Sequence, residues 1–241
     1  MKMFVTDYDG TLFTNNKALK LNKKKIKKLH KLNVIITIST GRSYTSIKEQ
    51  LTKYNIYYDY INCSDGSFIF NNKDELINFY KMNKDIANDV LTFANSINHK
   101  EIQICYPREY SDVLKNDLDI AGINVVIESL KMTDDIKNKF YQLKEKHNDY
   151  NFLYYDHGDY IYLCIKAKNV SKALSLQYMQ NYLNINSKDI FVIGDSNNDI
   201  EMIREYNGVS IISDNLDVLA VSSRQYHQVY EYIDDIIGKI S

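Results

Sequence analysis

Short continuous apolar runs alternate along the chain with stretches whose apolar residues recur every three or four positions, and this predicts most of the elements. The first run, Met3 to Thr6, is short, apolar and β-prone, and it ends at Asp7. From Leu21 to Leu32 the apolar positions Ile26, Leu29 and Leu32 share one side of a helix, with Lys23, Lys24, Lys25, Lys27 and Lys28 on the other. Val34 to Ser39 (VIITIS) is rich in β-branched residues without polar alternation, the pattern of a strand buried on both faces in a parallel sheet. It stops at Thr40-Gly41-Arg42, and a helix is expected over 43–53. Strands are expected at 60–63, 67–71 and 75–82, separated by the turn signals SDGS and NNKDE.

From about Asn83 the rhythm changes. A helix over 84–96 precedes the strand-like runs EIQICY and NVVIE. A second helix over 133–147 leads into NFLYYD and DYIYLCIK around the His157-Gly158 turn. This αββαββ order reads as a separate α+β module. After Lys166 the βα alternation resumes with a helix over 171–182, the strand DIFVIGD, a helix over 199–205, the strand GVSIIS and a helical tail over 226–240. The expected fold is α/β: a doubly wound parallel-sheet core from residues 1–82 and 167–241, carrying an inserted α+β domain at 83–166.

Composition narrows the function by exclusion. The 241 residues are 44% hydrophobic and 25% charged, ordinary for a globular protein. A net charge of -1 gives no reason to expect nucleic acid or an anionic membrane as partner, and no aromatic residues interleave the lysines of 21–32. No apolar run approaches a membrane span and the N-terminus lacks a signal-peptide pattern. Cys63, Cys105 and Cys164 form no CxxC pair and sit inside apolar runs, which reads as buried thiols in a reducing cytoplasm. Oligomeric state is not readable.

Chemistry enters at the strand ends. In an open parallel sheet, ligands bind beyond the carboxyl ends of the strands. FVTDYDGT, IITISTGR and FVIGDSNND would converge there, with Gly10, Gly41, Gly66 and Gly194 beside these or similar ends. Asp7, Asp9, Asp195 and Asp199, with Asn198, would repel one another unless protonated or met by a cation. All-oxygen donors favour Mg²⁺. One carboxylate could attack a phosphoryl group, and a second, two residues along an extended strand and so on the same side, could protonate the leaving oxygen and later activate water. Thr40, nearby backbone N–H groups and a lysine from the helix after the insert could hold the phosphoryl oxygens.

These motifs closely resemble those of the haloacid dehalogenase superfamily, in its Cof-like branch of phosphatases with a large α+β cap, and the resemblance covers nearly the whole chain. It implies a Rossmann-like core with an inserted cap and a Mg²⁺-dependent phosphatase that works through an aspartyl-phosphate. DYDGTL is similar to the first motif, making Asp7 the nucleophile and Asp9 the acid/base. TGR resembles the second, with Thr40, Gly41 and Arg42 as substrate-binding residues; for Arg42 a structural salt bridge stays open as well. NVSKALSLQYM resembles the third, where Lys172 steadies nucleophile and phosphate. GDSNND resembles the fourth, with Asp195 as a metal ligand and Asn198 and Asp199 completing or orienting the shell. The same resemblance has Asp7 bind the metal by its side chain and Asp9 by its backbone carbonyl.

Two departures stand out. Asp65-Gly66-Ser67 replaces an Asn-Gly-Ala turn, so Asp65 is a turn residue or lies on the substrate side. Asp214-Asn215-Leu216 replaces an Asn-Ala pair, so Asn215 carries over only weakly. The expected substrate is a small phosphomonoester, a sugar phosphate by family default. Arg108, Tyr110, His157 and Tyr160 are cap candidates for recognising it. Asp9 argues against a dehalogenase, since a departing halide needs no proton. A phosphohexomutase and a non-catalytic phosphate-binding protein remain as alternatives.

Overall fold

The computed structural model describes residues 1–115, 119–156 and 158–240. They divide into two units, Met1–Asn78 with Ser171–Ser241, and Phe79–Val170. The first unit opens with β1 (Lys2–Thr6), α1 (Asn16–Lys31), β2 (Val34–Ser39), α2 (Tyr44–Lys53), β3 (Tyr60–Cys63), β4 (Phe68–Asn71) and β5 (Leu76–Phe79). Next come α3 (Lys84–Asn95), β6 (Glu101–Cys105), β7 (Tyr110–Ser111), β8 (Gly122–Glu128), α4 (Asp134–Lys146), β9 (Tyr150–Asp156) and β10 (Tyr160–Ala167). The first unit then resumes with α5 (Lys172–Tyr182), β11 (Ile190–Gly194), α6 (Ile200–Glu205), β12 (Val209–Ile211), α7 (Leu216–Val221), β13 (Gln225–Tyr226) and α8 (Val229–Ile240).

The first unit is built on an eight-stranded sheet in the order β13-β12-β11-β1-β2-β3-β4-β5. β1 runs parallel to both neighbours, with Met3 opposite Ile190 on β11 and Ile35 on β2. Its apolar run makes it a central strand: Met3, Phe4 and Val5 have no exposed surface. The chain moves to one side of β1 for β2 and returns on the other side for β11, so the reversal that opens a crevice in doubly wound sheets falls at β1. Val5, Leu176, Met179, Val192, Met202 and Ile203 belong to one core on this sheet.

The second unit is a five-stranded sheet in the order β7-β6-β8-β10-β9. Its pairs are antiparallel. Ile104, Val125 and Leu163 form its core with Val90 of α3 and Phe140 of α4. The units divide at 78/79 and 170/171, four residues outside the expected 82/83 and 166/167 at each junction. Met82 is buried in the second unit's core, and Asn151 Nδ2 donates to the carbonyls of Lys168 (3.0 Å) and Val170 (3.3 Å), which ties those flanks to the insert.

Other expectations also shift. α1 starts at Asn16 and not near Leu21, because Asn15 caps it by accepting from the Ala18 N–H at 2.9 Å. The tail is not helical throughout: Gln225–Tyr226 pairs with β12 before α8 begins. No helix among the described residues is long and apolar enough to cross a membrane.

Candidate active site

The site begins where β1 stops. The Asp7 N–H donates to the Ile193 carbonyl at 3.0 Å, continuing the ladder by one bond. The chain then folds into a tight loop: the Leu12 N–H donates to the Asp7 carbonyl (3.3 Å) and that of Phe13 to the Tyr8 carbonyl (2.8 Å). Gly10 has φ +79°, and a Cβ there would overlap the Asp195 carboxylate. Glycine therefore serves twice, for the turn and for the approach of the β11 loop. Thr11 Oγ1 donates to Asp195 Oδ1 across the same gap.

Asp7 is 5% exposed and meets Lys172. Lys172 Nζ donates to Asp7 Oδ1 and to Asp199 Oδ1, both at 2.7 Å, with no exposed side-chain surface. Lys172 is the first residue of α5, after the cap Ser171, where the helix dipole disfavours a cation. A buried lysine at that end is unfavourable for the helix alone and is explained by the carboxylates it joins. Burial would pull its pKa down, but Asp199 and Asp7 outweigh that and hold the ammonium charged.

The β11 loop supplies the remaining acids. Asp199 Oδ2 accepts from the N–H groups of Asp195 and Ser196, each at 3.0 Å, and Ser196 closes a capping box with it. Both Asp199 oxygens are thus engaged. Asp7, Asp195 and Asp199 each offer an oxygen within 4.8 Å of the others. Burial raises Asp7 well above the usual carboxylate range; Lys172 opposes the shift, and Asp199 and Asp195 add to it. Burial likewise pushes Asp195 up to about 6, against its hydrogen bond from Thr11. Three close carboxylates with one lysine are short of positive charge, and hard oxygen donors of this kind suit a hard divalent cation.

Asp9 stands apart from this group. The expectation that Asp7 and Asp9 share one face of an extended strand fails, because β1 ends at Thr6 and the loop turns between them. Arg42 grips Asp9 in a fork, Nε to Oδ2 at 2.6 Å and Nη2 to Oδ1 at 2.8 Å. Its Nη1 donates to Ser46 Oγ at 3.1 Å, and its guanidinium lies 5.5 Å from the Tyr8 ring centre. Of the two roles left open for Arg42, the salt bridge is the one observed. Thr40 is buried, and its Oγ1 accepts from the Arg42 N–H at 3.2 Å. Asn198 donates from Nδ2 to Asp65 Oδ1 (2.8 Å) and accepts from Ser196 Oγ (2.6 Å). The side chains of Asp9 and Asn198 are thus committed to protein partners outside the Asp7–Asp195–Asp199 group.

A profile of the haloacid dehalogenase-like hydrolase family matches residues 4–110 and 97–217. The chain belongs to the haloacid dehalogenase-like hydrolases. An uncharacterized protein of Mycoplasma capricolum is 30% identical over 239 residues, covering 85% of this chain and 88% of that one. The 5-amino-6-(5-phospho-D-ribitylamino)uracil phosphatase of Bacillus subtilis is 24% identical over 217 residues, covering 85% and 81%. Among solved structures, a subclass IIB sugar phosphatase of the superfamily superposes with a TM-score of 0.76 at 14% identity, covering 100% of both chains.

In this hydrolase several supporting residues escape a reading of the sequence. Asn22, fully buried in α1, donates to the Leu12 carbonyl at 2.9 Å and accepts from the Tyr230 N–H at 2.9 Å, bracing the loop that carries Asp9. An asparagine on the apolar stripe, on the same helix side as Ile26 and Leu29, was the available signal. Asn62 reaches Ser39 Oγ (3.0 Å) and Ser175 Oγ (2.5 Å), linking β2, β3 and α5 beneath the site. Asn215, which the sequence carried over only weakly, caps α7 and donates to Asn197 Oδ1 at 2.8 Å. Tyr110 and Tyr160 stand on β7 and β10, with β6 and β8 between them, and Arg108 lies in the turn before β7. His157 lies outside the described residues.

Proposed function

We propose that this hydrolase cleaves a small phosphomonoester, by preference a sugar phosphate, through a covalent phosphate on Asp7 and with Mg²⁺ as cofactor. The observation that carries the reading is the environment of Asp7: buried, oriented by Lys172 Nζ at 2.7 Å, and next to two further carboxylates. Asp7 and Asp195 would hold the cation, with Asp199 and Asn198 orienting the shell and the Asp9 carbonyl contributing. When bound, the cation neutralises charge on the carboxylates and the phosphoryl oxygens.

Asp7 attacks phosphorus in line, forming the acyl-phosphate bond as the ester P–O bond breaks. Asp9, once it leaves the Arg42 fork and takes up a proton from solvent, gives that proton to the departing alkoxide. It then takes a proton from the water that attacks phosphorus, which frees Asp7 and inorganic phosphate. Lys172 holds Asp7 and meets a phosphoryl oxygen. Thr40 Oγ1 already accepts from the Arg42 N–H, so its own O–H is left to donate to a second phosphoryl oxygen. The second unit, as a cap, selects the alcohol. The phosphatases named above act, by their names, on a phosphorylated ribityl compound and on sugar phosphates, which supports a polyhydroxylated leaving group. Cys63, Cys105 and Cys164 sit buried inside apolar runs, which supports a reducing cytoplasm as the compartment.

The test is phosphate release from p-nitrophenyl phosphate and a panel of sugar phosphates, with Mg²⁺ or chelator, for the wild type and Asp7→Asn. Mg²⁺-dependent release that disappears in the variant supports the reading. Interconversion of hexose phosphate isomers without net release would replace it with a mutase, and Mg²⁺ binding with no turnover would replace it with a phosphate-binding protein.

A further inference from the structure

We propose that Asp65 is a positioning residue for the cation site: its carboxylate fixes the amide of Asn198 and so ties the acidic loop after β11 to the loop after β2. The inference rests on the Mg²⁺ reading given above. It starts from backbone. Ser64 (φ 50°) and Asp65 (φ 53°) are both left-handed, followed by Gly66 (φ 98°). Consecutive non-glycine residues in that region persist only where surrounding contacts determine them. Here the Ser64 N–H donates to the Arg42 carbonyl (2.8 Å) and the Asp65 N–H to the Thr40 carbonyl (3.0 Å). The turn hangs from the loop that carries Thr40, Gly41 and Arg42.

From that anchored backbone the Asp65 side chain crosses to the other loop. Asn198 Nδ2 donates to Asp65 Oδ1 at 2.8 Å, between residues 133 positions apart. An ionised carboxylate only accepts, so it turns the NH₂ of Asn198 towards itself and the carbonyl away. The carbonyl is pinned in turn by Ser196 Oγ at 2.6 Å, and Ser196 also bonds Asp199 Oδ2 at 3.2 Å. The amide is therefore fixed at both ends, and Asp65 joins the loop of Thr40 to that of Asp195–Asp199. Gly41 makes room for this, because a Cβ there would lie 2.9 Å from Asp65 Oδ1. The carboxylate that replaces the family's usual asparagine in this turn thus has a partner in the fourth motif.

The test is calorimetric titration of the metal-free full-length protein with Mg²⁺. Asp65→Gly deletes the side chain while tolerating the left-handed backbone, and Asp65→Asn keeps an acceptor without the charge. Loss of a group that orients a metal site weakens binding about tenfold or more, so Asp65→Gly should raise the Mg²⁺ Kd by at least that factor. Asp65→Asn should stay within about twofold, and in an Asn198→Ala background Asp65→Gly should add less than about twofold, because residues acting through one contact do not add. Wild-type affinity in Asp65→Gly overturns the proposal. So does equal weakening in Asp65→Asn, which would make charge the cause, or the full effect persisting without Asn198. If the wild type itself binds no Mg²⁺ while the variants match its thermal stability, the underlying metal reading is what fails.

Discussion

Asp7 and Asp9 are separated by one residue, yet each is paired with a cation in a different medium. Asp7 is nearly inaccessible and meets a lysine with no exposed side-chain surface. Asp9 is half exposed and meets Arg42, itself one-third exposed. A buried pair is rigid and costly to break, because the surviving partner is left charged without solvent. An exposed pair contributes little to stability and exchanges readily with water or another ligand. The difference suits the two proposed roles. A nucleophile must be held on one trajectory, whereas an acid/base must release its proton to one oxygen and take another from water.

The comparison breaks most visibly in activity. Asp7→Asn should lower kcat by at least about 10⁴-fold, the scale seen when a nucleophile is removed; residual turnover within a factor of ten would dismiss Asp7 as nucleophile. Asp9→Asn should cost roughly 10² to 10⁴-fold in kcat/KM on an alkyl phosphate. On p-nitrophenyl phosphate, whose leaving group needs no proton, the loss should be much smaller, and equal losses on both would count against Asp9 as the acid.

Stability separates the pairs next. Lys172→Met should cost roughly 3–5 kcal/mol in urea unfolding, the scale for stranding buried charges. Acidity then sharpens the picture of the buried group. Asp195 has its pKa raised from 3.8 to about 6 in the fold, so the metal-free folded state holds a proton that the unfolded chain gives up. That contribution is fully present below 3.8 and is lost as pH rises through about 6. Thermal melts in chelator should fall over this window, and Asp195→Asn should flatten the fall. A wild-type profile identical to that of the variant would rule the effect out. Smallest of all, Arg42→Ala should change folding stability by less than about 1 kcal/mol; a larger loss would show that the exposed pair is not marginal after all.

Much of the core was legible because a parallel sheet writes itself plainly. Runs such as VIITIS and FVIG are rich in β-branched residues without polar alternation, and charged residues begin where each strand ends. Asp7, Asp195 and Asp199 could be listed from their places at strand ends, and Lys172 from the family resemblance. Their directions could not. Whether Asp9 shares a face with Asp7 depends on whether extended backbone continues three residues past Thr6, and the chain turns there instead. The choice of Arg42 for Asp9 and of Asn198 for Asp65 depends on loops brought together over 33 and 133 residues, with no local signal for either. Short pieces escaped too: β7 and β13 span two residues each, too few for a period to register. The start of α1 lies in NNKALK, where Leu19 already continues the buried side of Ile26 and Leu29 and Asn15 caps the helix.

The central position of β1 has a consequence for synthesis. Its partner β11 and the Asp195 that fits against Gly10 lie far along the chain, as the 184 positions between Thr11 and Asp195 record. At about 5–20 residues per second, a ribosome needs roughly 10–40 s between these two segments. For most of that interval one edge of β1 has no strand to pair with, and Asp7 lacks both Lys172 and the carboxylates of Asp195 and Asp199. The acidic site is therefore completed late in synthesis, and until then the nascent chain carries an open apolar edge of the kind that invites pairing with other chains.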